Sequence, residues 1–205
     1  GFAQYTQMAP SDAAGFNNLG LSYYMLDRCS DAMAAFASSI RLKSDSYVSL
    51  VYQGICQDKA SKYSDAVNSL KTAAGIEPNN PLAHSQLGLT YYGGKNYVES
   101  ERSLRRAVQL KPDDYFYRYR LGLALYEQER YGEAMTEAKE SIRLKSDYSY
   151  AHGLYGDTLY GAKQYKEAVV EYRESLRLKP GDASVHYQLG QSYYGLKDWA
   201  SASVA

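Results

Sequence analysis

Residues 149–182 read SYAHGLYGDTLYGAKQYKEAVVEYRESLRLKPGD. Two helical patterns meet inside this short stretch. The spacing predicts one helix over roughly 150–162 and a second over roughly 165–178, with Tyr155 and Leu159 on the first and Tyr165, Val169, Tyr172 and Leu176 on the second. Small residues, Gly156, Ala168 and Ser175, stand where the two helices would have to touch. Pro180 and Gly181 stop the second helix, and Asp182 is a good N-cap for another.

Outward from this stretch the pattern recurs without insertion. The eighth place reads Gly20, Gly54, Gly88, Gly122, Gly156 and Gly190, each 34 residues after the last. The twentieth reads Ala32, Ala66, Ser100, Ala134, Ala168 and Ala202, and the thirtieth Leu42, Ile76, Leu110, Leu144 and Leu178. Such a period means stacked helical hairpins. A helix-interior glycine costs about 1 kcal/mol against alanine, so a whole register of them needs a shared reason: close helix–helix approach at Gly88, Gly122 and Gly156 among others. The thirty-fourth place supplies N-caps, Asp12, Ser46, Asn80, Asp114 and Asp182, with Tyr148 the exception. A longer period overlies the first, because SIRLKSD at 39–45 recurs at 141–147, 102 residues on. The chain reads as two copies of a three-repeat block.

These features resemble the tetratricopeptide repeat (TPR) family over the whole chain: a part-repeat 1–12, full repeats 13–46, 47–80, 81–114, 115–148 and 149–182, and a part-repeat 183–205. The resemblance implies an all-α solenoid of stacked antiparallel helix pairs, wound into a right-handed superhelix. Departures are local. The fourth place, often tryptophan in the family, holds Phe16, Leu50, His84, Arg118, His152 and His186, and Gln53 and Gln57 replace large apolar residues in repeat 47–80, predicting looser packing there.

Composition narrows the function. The 23 basic and 23 acidic residues balance, which argues against a nucleic-acid or anionic-membrane partner held by bulk charge. No apolar run is long enough for a membrane span. No signal-peptide pattern is visible, but the chain starts at Gly1, which leaves both a cytoplasmic and an exported setting open. No catalytic motif and no cofactor-binding or metal-ligand spacing occurs; one histidine per repeat in one register is a poor chelator, and Cys29 and Cys56 read as packing thiols.

Tyrosine is the outlier, with 23 copies against four Phe and one Trp. In the TPR family the first helix of each hairpin lines a concave groove. Carried over by register, the ninth place gives Leu21, Ile55, Leu89, Leu123, Asp157 and Gln191, and the twelfth gives Tyr24, Asp58, Tyr92, Tyr126, Tyr160 and Tyr194. The resemblance thus implies an apolar, tyrosine-rich wall, lacking the lysines of a carboxylate clamp apart from the lone cation Arg120. The charged second helices read as a solvated face.

The expected function is a non-catalytic protein–protein interaction scaffold. One version is a homo-oligomer of copies joined head to tail into a superhelical filament. Part-repeat 183–205 and part-repeat 1–12 complement each other in register, and Leu189, Tyr193 and Trp199 would meet Phe2, Tyr5 and Met8. The alternatives are an adaptor for a peptide segment of another protein, or a regulatory segment of a longer chain.

Overall fold

A computed structural model describes residues 1–202; the last three residues of part-repeat 183–205 lie outside the described residues. The described residues form helices and no strands. They fall into two compact units, residues 1–110 and Lys111 onward. The first holds α1 (Phe2–Met8), α2 (Ala13–Met25), α3 (Cys29–Leu42), α4 (Tyr47–Lys59), α5 (Tyr63–Ile76), α6 (Pro81–Gly93) and α7 (Tyr97–Leu110). The second holds α8 (Tyr115–Tyr126), α9 (Tyr131–Leu144), α10 (Ser149–Gly161), α11 (Tyr165–Leu178), α12 (Ala183–Gly195) and α13 (Trp199–Ala202). Within the units α2 packs on α3, α4 on α5, α6 on α7, α8 on α9, α10 on α11 and α12 on α13. Successive first helices also touch: α2, α4 and α6 in one unit, α8, α10 and α12 in the other.

The turn inside each hairpin is built from backbone. Lys163 has φ 62°, in the left-handed region, and the same conformation recurs at Asp27, Ser61, Lys95, Glu129 and Lys197. The Lys163 amide donates to the Tyr160 carbonyl at 2.8 Å and the Gln164 amide to the Leu159 carbonyl at 2.8 Å. That pair is a Schellman motif, which satisfies the last carbonyls of the first helix and turns the chain back. No glycine marks any of these positions.

The connections between hairpins are closed by side chains. Asp12, Asn80, Asp114 and Asp182 accept hydrogen bonds from amides of the first turns of α2, α6, α8 and α12, as N-caps do. Ser46 does not: its hydroxyl donates to Ser49 Oγ at 2.9 Å, because Ser49 lies within reach as part of a buried Ser39–Ser49–Asn17 chain.

The glycine register has the predicted cause, close approach of the partner helix, at Gly20, Gly54, Gly88, Gly122 and Gly156. A Cβ on Gly20, Gly54, Gly88 or Gly156 would lie 2.5–2.6 Å from Phe36, Leu70, Leu104 or Tyr172, the large residue of the partner helix. At Gly122 the register position of those large residues holds Ala138, and α9 approaches with the Ala134 carbonyl, 3.4 Å from where the Cβ would be. Leu154 of the following first helix comes closer still, 2.8 Å from where the Cβ would be. Core clusters then form around these contacts, with Tyr172 the largest fully buried side chain of the second unit. The expectation of looser packing in repeat 47–80 is not met at Gln57, which accepts a hydrogen bond from Ser69 at 2.8 Å, while Leu50, Val51, Leu70 and Ala73 fill the core.

Buried hydroxyls tie second helices to first. Ser39, Ser141 and Ser175 donate to the carbonyls of Ala13, Tyr115 and Ser149, the opening residues of α2, α8 and α10. Ser100, which stands where most repeats have alanine, donates to the Gly88 carbonyl at 2.7 Å.

Candidate peptide-binding face

The first helices carry the residues singled out by register. In the first unit Leu21, Ile55, Leu89, Tyr24 and Tyr92 are all half-buried. The Tyr24 ring meets Tyr52 edge-on at 4.9 Å and lies 5.2 Å from Lys59 Nζ; Tyr92 packs on Tyr97 at 5.4 Å. Asp58 is half-buried on the same register, and burial raises its carboxyl above the ordinary range. In the second unit Leu123, Tyr126 and Tyr160 are half-buried and Tyr194 is 61% exposed. Each of these tyrosines leans on the aromatic residue that opens the second helix of its hairpin: Tyr126 on Tyr131 (5.7 Å), Tyr160 on Tyr165 (5.4 Å) and Tyr194 on Trp199 (4.7 Å). The rings are therefore held in place and present one side outward.

A denser aromatic group lies one helical turn and more N-terminal. Tyr115, Phe116 and Tyr119 of α8, Tyr148 at the N-cap of α10 and Tyr150 within it form one cluster. Tyr148 is its hub, with ring centroids 5.0 Å from Tyr115, 6.2 Å from Phe116, 5.3 Å from Tyr119 and 5.5 Å from Tyr150. Edge-to-face pairs at such separations each add about 0.5–1.5 kcal/mol beyond burial. Phe116 and Tyr150 remain exposed. Cations cover some of the faces: Arg120 lies 3.9 Å from the Phe116 centroid, Lys145 4.8 Å from Tyr115 and Lys179 4.5 Å from Tyr150. The sequence reading did not single out this group. The same register arithmetic, applied to the second and fifth places of each repeat, would have found Phe116, Tyr119, Tyr150 and Tyr187.

Electrostatics set what this face can hold. Burial pushes the Asp157 carboxyl up to about 6, although Tyr172 donates a hydrogen bond to its Oδ1 at 2.8 Å. Burial lowers the Arg120 guanidinium to about 10, which still leaves it charged at neutral pH. It raises the phenols of Tyr119 and Tyr126 to about 12 and that of Tyr148 further, so all three stay neutral. Lys179 is paired with Asp182 at 3.1 Å. The face is thus mainly neutral and aromatic, with Arg120 and Asp157 as half-buried charges.

The second helices are different in kind. Arg28–Asp31, Arg130–Glu133, Arg143–Glu140 and Arg177–Glu174 are exposed ion pairs within one helical turn, of small energetic weight.

The histidines serve the connections between hairpins. His84 Nε2 lies 3.0 Å from the Pro78 carbonyl, His186 Nε2 3.0 Å from the Pro180 carbonyl and His152 Nε2 3.1 Å from the Ser146 carbonyl. Arg118 uses the same position, donating from Nε to the Pro112 carbonyl at 3.1 Å. Among the described residues no group of three or more His, Cys, Asp and Glu could hold a metal ion. Cys56 is buried with Cys29 packed beside its cluster, and burial pushes the Cys56 thiol up to about 12.

Of the residues expected to lie open for end-to-end association, Phe2, Tyr5, Met8 and Trp199 are exposed. Leu189 and Tyr193 are not. Both are buried in the cluster of Leu159, Val169 and Tyr172, with Leu196 and Ala202 packed against it. The short α13 covers what the sequence reading left uncovered.

Comparison with known proteins agrees with this construction. A tetratricopeptide repeat family model matches residues 99–149, and a second TPR repeat model matches 59–93 and 156–197, together more than half of the chain. No curated protein matches the sequence. Among solved structures, the hetero-tetramer Cut9–Hcn1 of the APC/C superposes with TM-score 0.81 at 17% identity, over 98% of this chain and 40% of that one. YrrB, described as a TPR protein with an unusual peptide-binding site, gives TM-score 0.75 at 17% identity over 96% and 97% of the two chains. PilF of Pseudomonas aeruginosa gives TM-score 0.80 at 18% identity over 94% and 87%. No helix of the described residues is long and apolar enough to cross a membrane. The repeated hairpins, the glycine contacts between their helices and the matches along the sequence place the chain in the tetratricopeptide repeat family.

Proposed function

We propose that this protein is a non-catalytic interaction scaffold, and that the first-helix face of its second unit holds an extended, largely apolar peptide segment of another protein. The observation that carries this reading is the five-ring cluster around Tyr148, of which Phe116 and Tyr150 are exposed members. Aromatic side chains give large contact area at little entropic cost, and buried aromatic anchors dominate binding energy at interfaces. Tyr160 and Tyr194 extend the surface along α10 and α12. The direct test is selection of ligands from a random-peptide display library, followed by calorimetry on Tyr119→Ala and Tyr150→Ala. Loss of about 1–2 kcal/mol or more per substitution, with unfolding unchanged, supports the reading. Unaltered affinity in both variants contradicts it.

A second reading, association of copies end to end into a filament, is favoured by a different observation. Phe2, Met8, Tyr187 and Trp199 leave apolar surface exposed at the two ends of the described helices. A head-to-tail contact of this kind is heterologous, and it grows into a filament where the rotation between copies does not close a ring. Light scattering tests it: mass rising with concentration, and no rise for Trp199→Glu, is the supporting result. A constant monomer mass at high concentration contradicts it.

A further inference from the structure

His152 differs from the other two histidines. It is buried to 8% exposure, and both of its ring nitrogens are engaged. Nδ1 lies 2.8 Å from Glu171 Oε2 on α11, and Nε2 lies 3.1 Å from the Ser146 carbonyl in the connection leading into α10. Both partners are acceptors. A neutral imidazole carries one N–H, so only the imidazolium can make both bonds.

The preceding repeat makes the same two-point clamp with a group that never loses its proton. Arg118 donates from Nε to the Pro112 carbonyl at 3.1 Å and from Nη1 to Glu137 Oε2 at 3.0 Å. Pro112 and Glu137 stand 34 residues before Ser146 and Glu171. One position of the repeat thus carries a permanent clamp in one hairpin and a titratable one in the next.

The titratable clamp sits on the connection that bears the binding face. Ser146 lies between Lys145, whose ammonium covers Tyr115, and Tyr148, the hub of the aromatic cluster. We propose that His152 is a proton-operated latch: protonated, it fastens the 145–148 connection to α10 and α11 and holds Tyr148 in the cluster. When it loses its proton, the bond to Ser146 is released and Tyr148 loosens. The carboxylate of Glu171 is the stronger acceptor, so the remaining N–H stays at Nδ1 and the Ser146 bond is the one lost.

The charges around the ring fit this assignment. Glu171 and Glu174 act on it from α11, and Glu174 is itself paired with Arg177. On α9, Glu137 is taken by Arg118 and Glu140 by Arg143. Next to α12, Asp182 is paired with Lys179, and His186 is bonded to the Pro180 carbonyl. The hydrogen bond to Glu171 holds the imidazole above its ordinary value of 6.5, against the opposing effect of burial. The latch is therefore closed below that value and opens as pH rises through the raised one.

The consequence for binding rests on the peptide-binding reading given above, but the latch is tested without a ligand. The ring signals of Tyr148 and His152 are followed by NMR on the full chain from pH 5.5 to 8.5, in an Asp157→Asn background that removes the nearby carboxyl titration. Tyr148 is expected to shift with the same midpoint as His152, above 6.5. In His152→Arg, which reproduces the Arg118 clamp, the Tyr148 shift should vanish, and in Glu171→Gln the midpoint should fall. A Tyr148 signal that stays still while His152 titrates, or that titrates unchanged in His152→Arg, overturns the latch. Failure to find a peptide ligand would overturn the binding reading alone.

Discussion

Gly156 and Gly75 are the same residue in two unlike positions. A Cβ on Gly156 would sit 2.5 Å from the buried Tyr172 ring, whereas a Cβ on Gly75 would meet nothing within 4 Å. Gly156→Ala should therefore destabilise by about 1–3 kcal/mol despite the better helix propensity of alanine. Gly75→Ala should be neutral or stabilise by up to about 1 kcal/mol. Denaturant unfolding of the two variants checks the pair, and equal shifts would contradict the packing account. Lys163 poses the opposite case: it adopts the left-handed backbone at φ 62° that favours glycine. Lys163→Gly should raise stability by about 0.5–1 kcal/mol, read as a higher unfolding midpoint. The glycines that mark helix crossings were legible from sequence because their register is unbroken. The left-handed turns were not legible, since Asp27, Ser61, Lys95, Glu129, Lys163 and Lys197 share only a place in the repeat, not a residue type. Gly122 shows a further limit: its nearest neighbour, Leu154, comes from another hairpin, where the register has Ala138 in place of the large residue met elsewhere.

At the scale of elements, one of the polar contacts that join α10 and α11 is Tyr172 to Asp157 at 2.8 Å. Burial lifts the Asp157 carboxyl from its ordinary 3.8 to about 6, so the folded state holds its proton more tightly than the unfolded chain does. The sign follows: stability falls as pH rises from about 4 through about 6 and stays lower above. Asp157→Asn keeps an acceptor for Tyr172 and removes the charge. It should stabilise by about 1–3 kcal/mol at pH 7 and flatten the pH dependence over that window. Thermal unfolding of both proteins from pH 4 to 8 measures this, and an unchanged slope would refute it. The register placed Asp157 on the binding wall. It did not reveal that Tyr172 reaches the carboxylate, because that depends on the depth at which two helices cross. The covering of Leu189 and Tyr193 by α13 belongs to the same class: periodicity assigns a residue to a face, and the opposing element decides whether that face stays open.

For the whole molecule, the repeated hairpin uses one local solution again and again and sets successive first helices side by side within each unit. Stability in such arrays comes from each repeat and its immediate neighbours. Residues on the first-helix face can then vary while the glycine, alanine and leucine places keep the stack. That division was readable from the sequence in outline: core places recur, and tyrosines gather at the twelfth. The aromatic cluster of Tyr115, Phe116, Tyr119, Tyr148 and Tyr150 was harder to see, because it is confined to one pair of hairpins and draws on four different places of the repeat. The central claim is that this cluster and the tyrosines beyond it form the binding face. Chemical-shift mapping of a display-selected peptide on the isotope-labelled full chain tests it most directly. The account predicts perturbations at Phe116, Tyr119, Tyr148, Tyr150 and Tyr160, with the α9 and α11 surface residues Glu140, Arg143, Glu174 and Arg177 unmoved. Perturbations confined to those second-helix residues would contradict it.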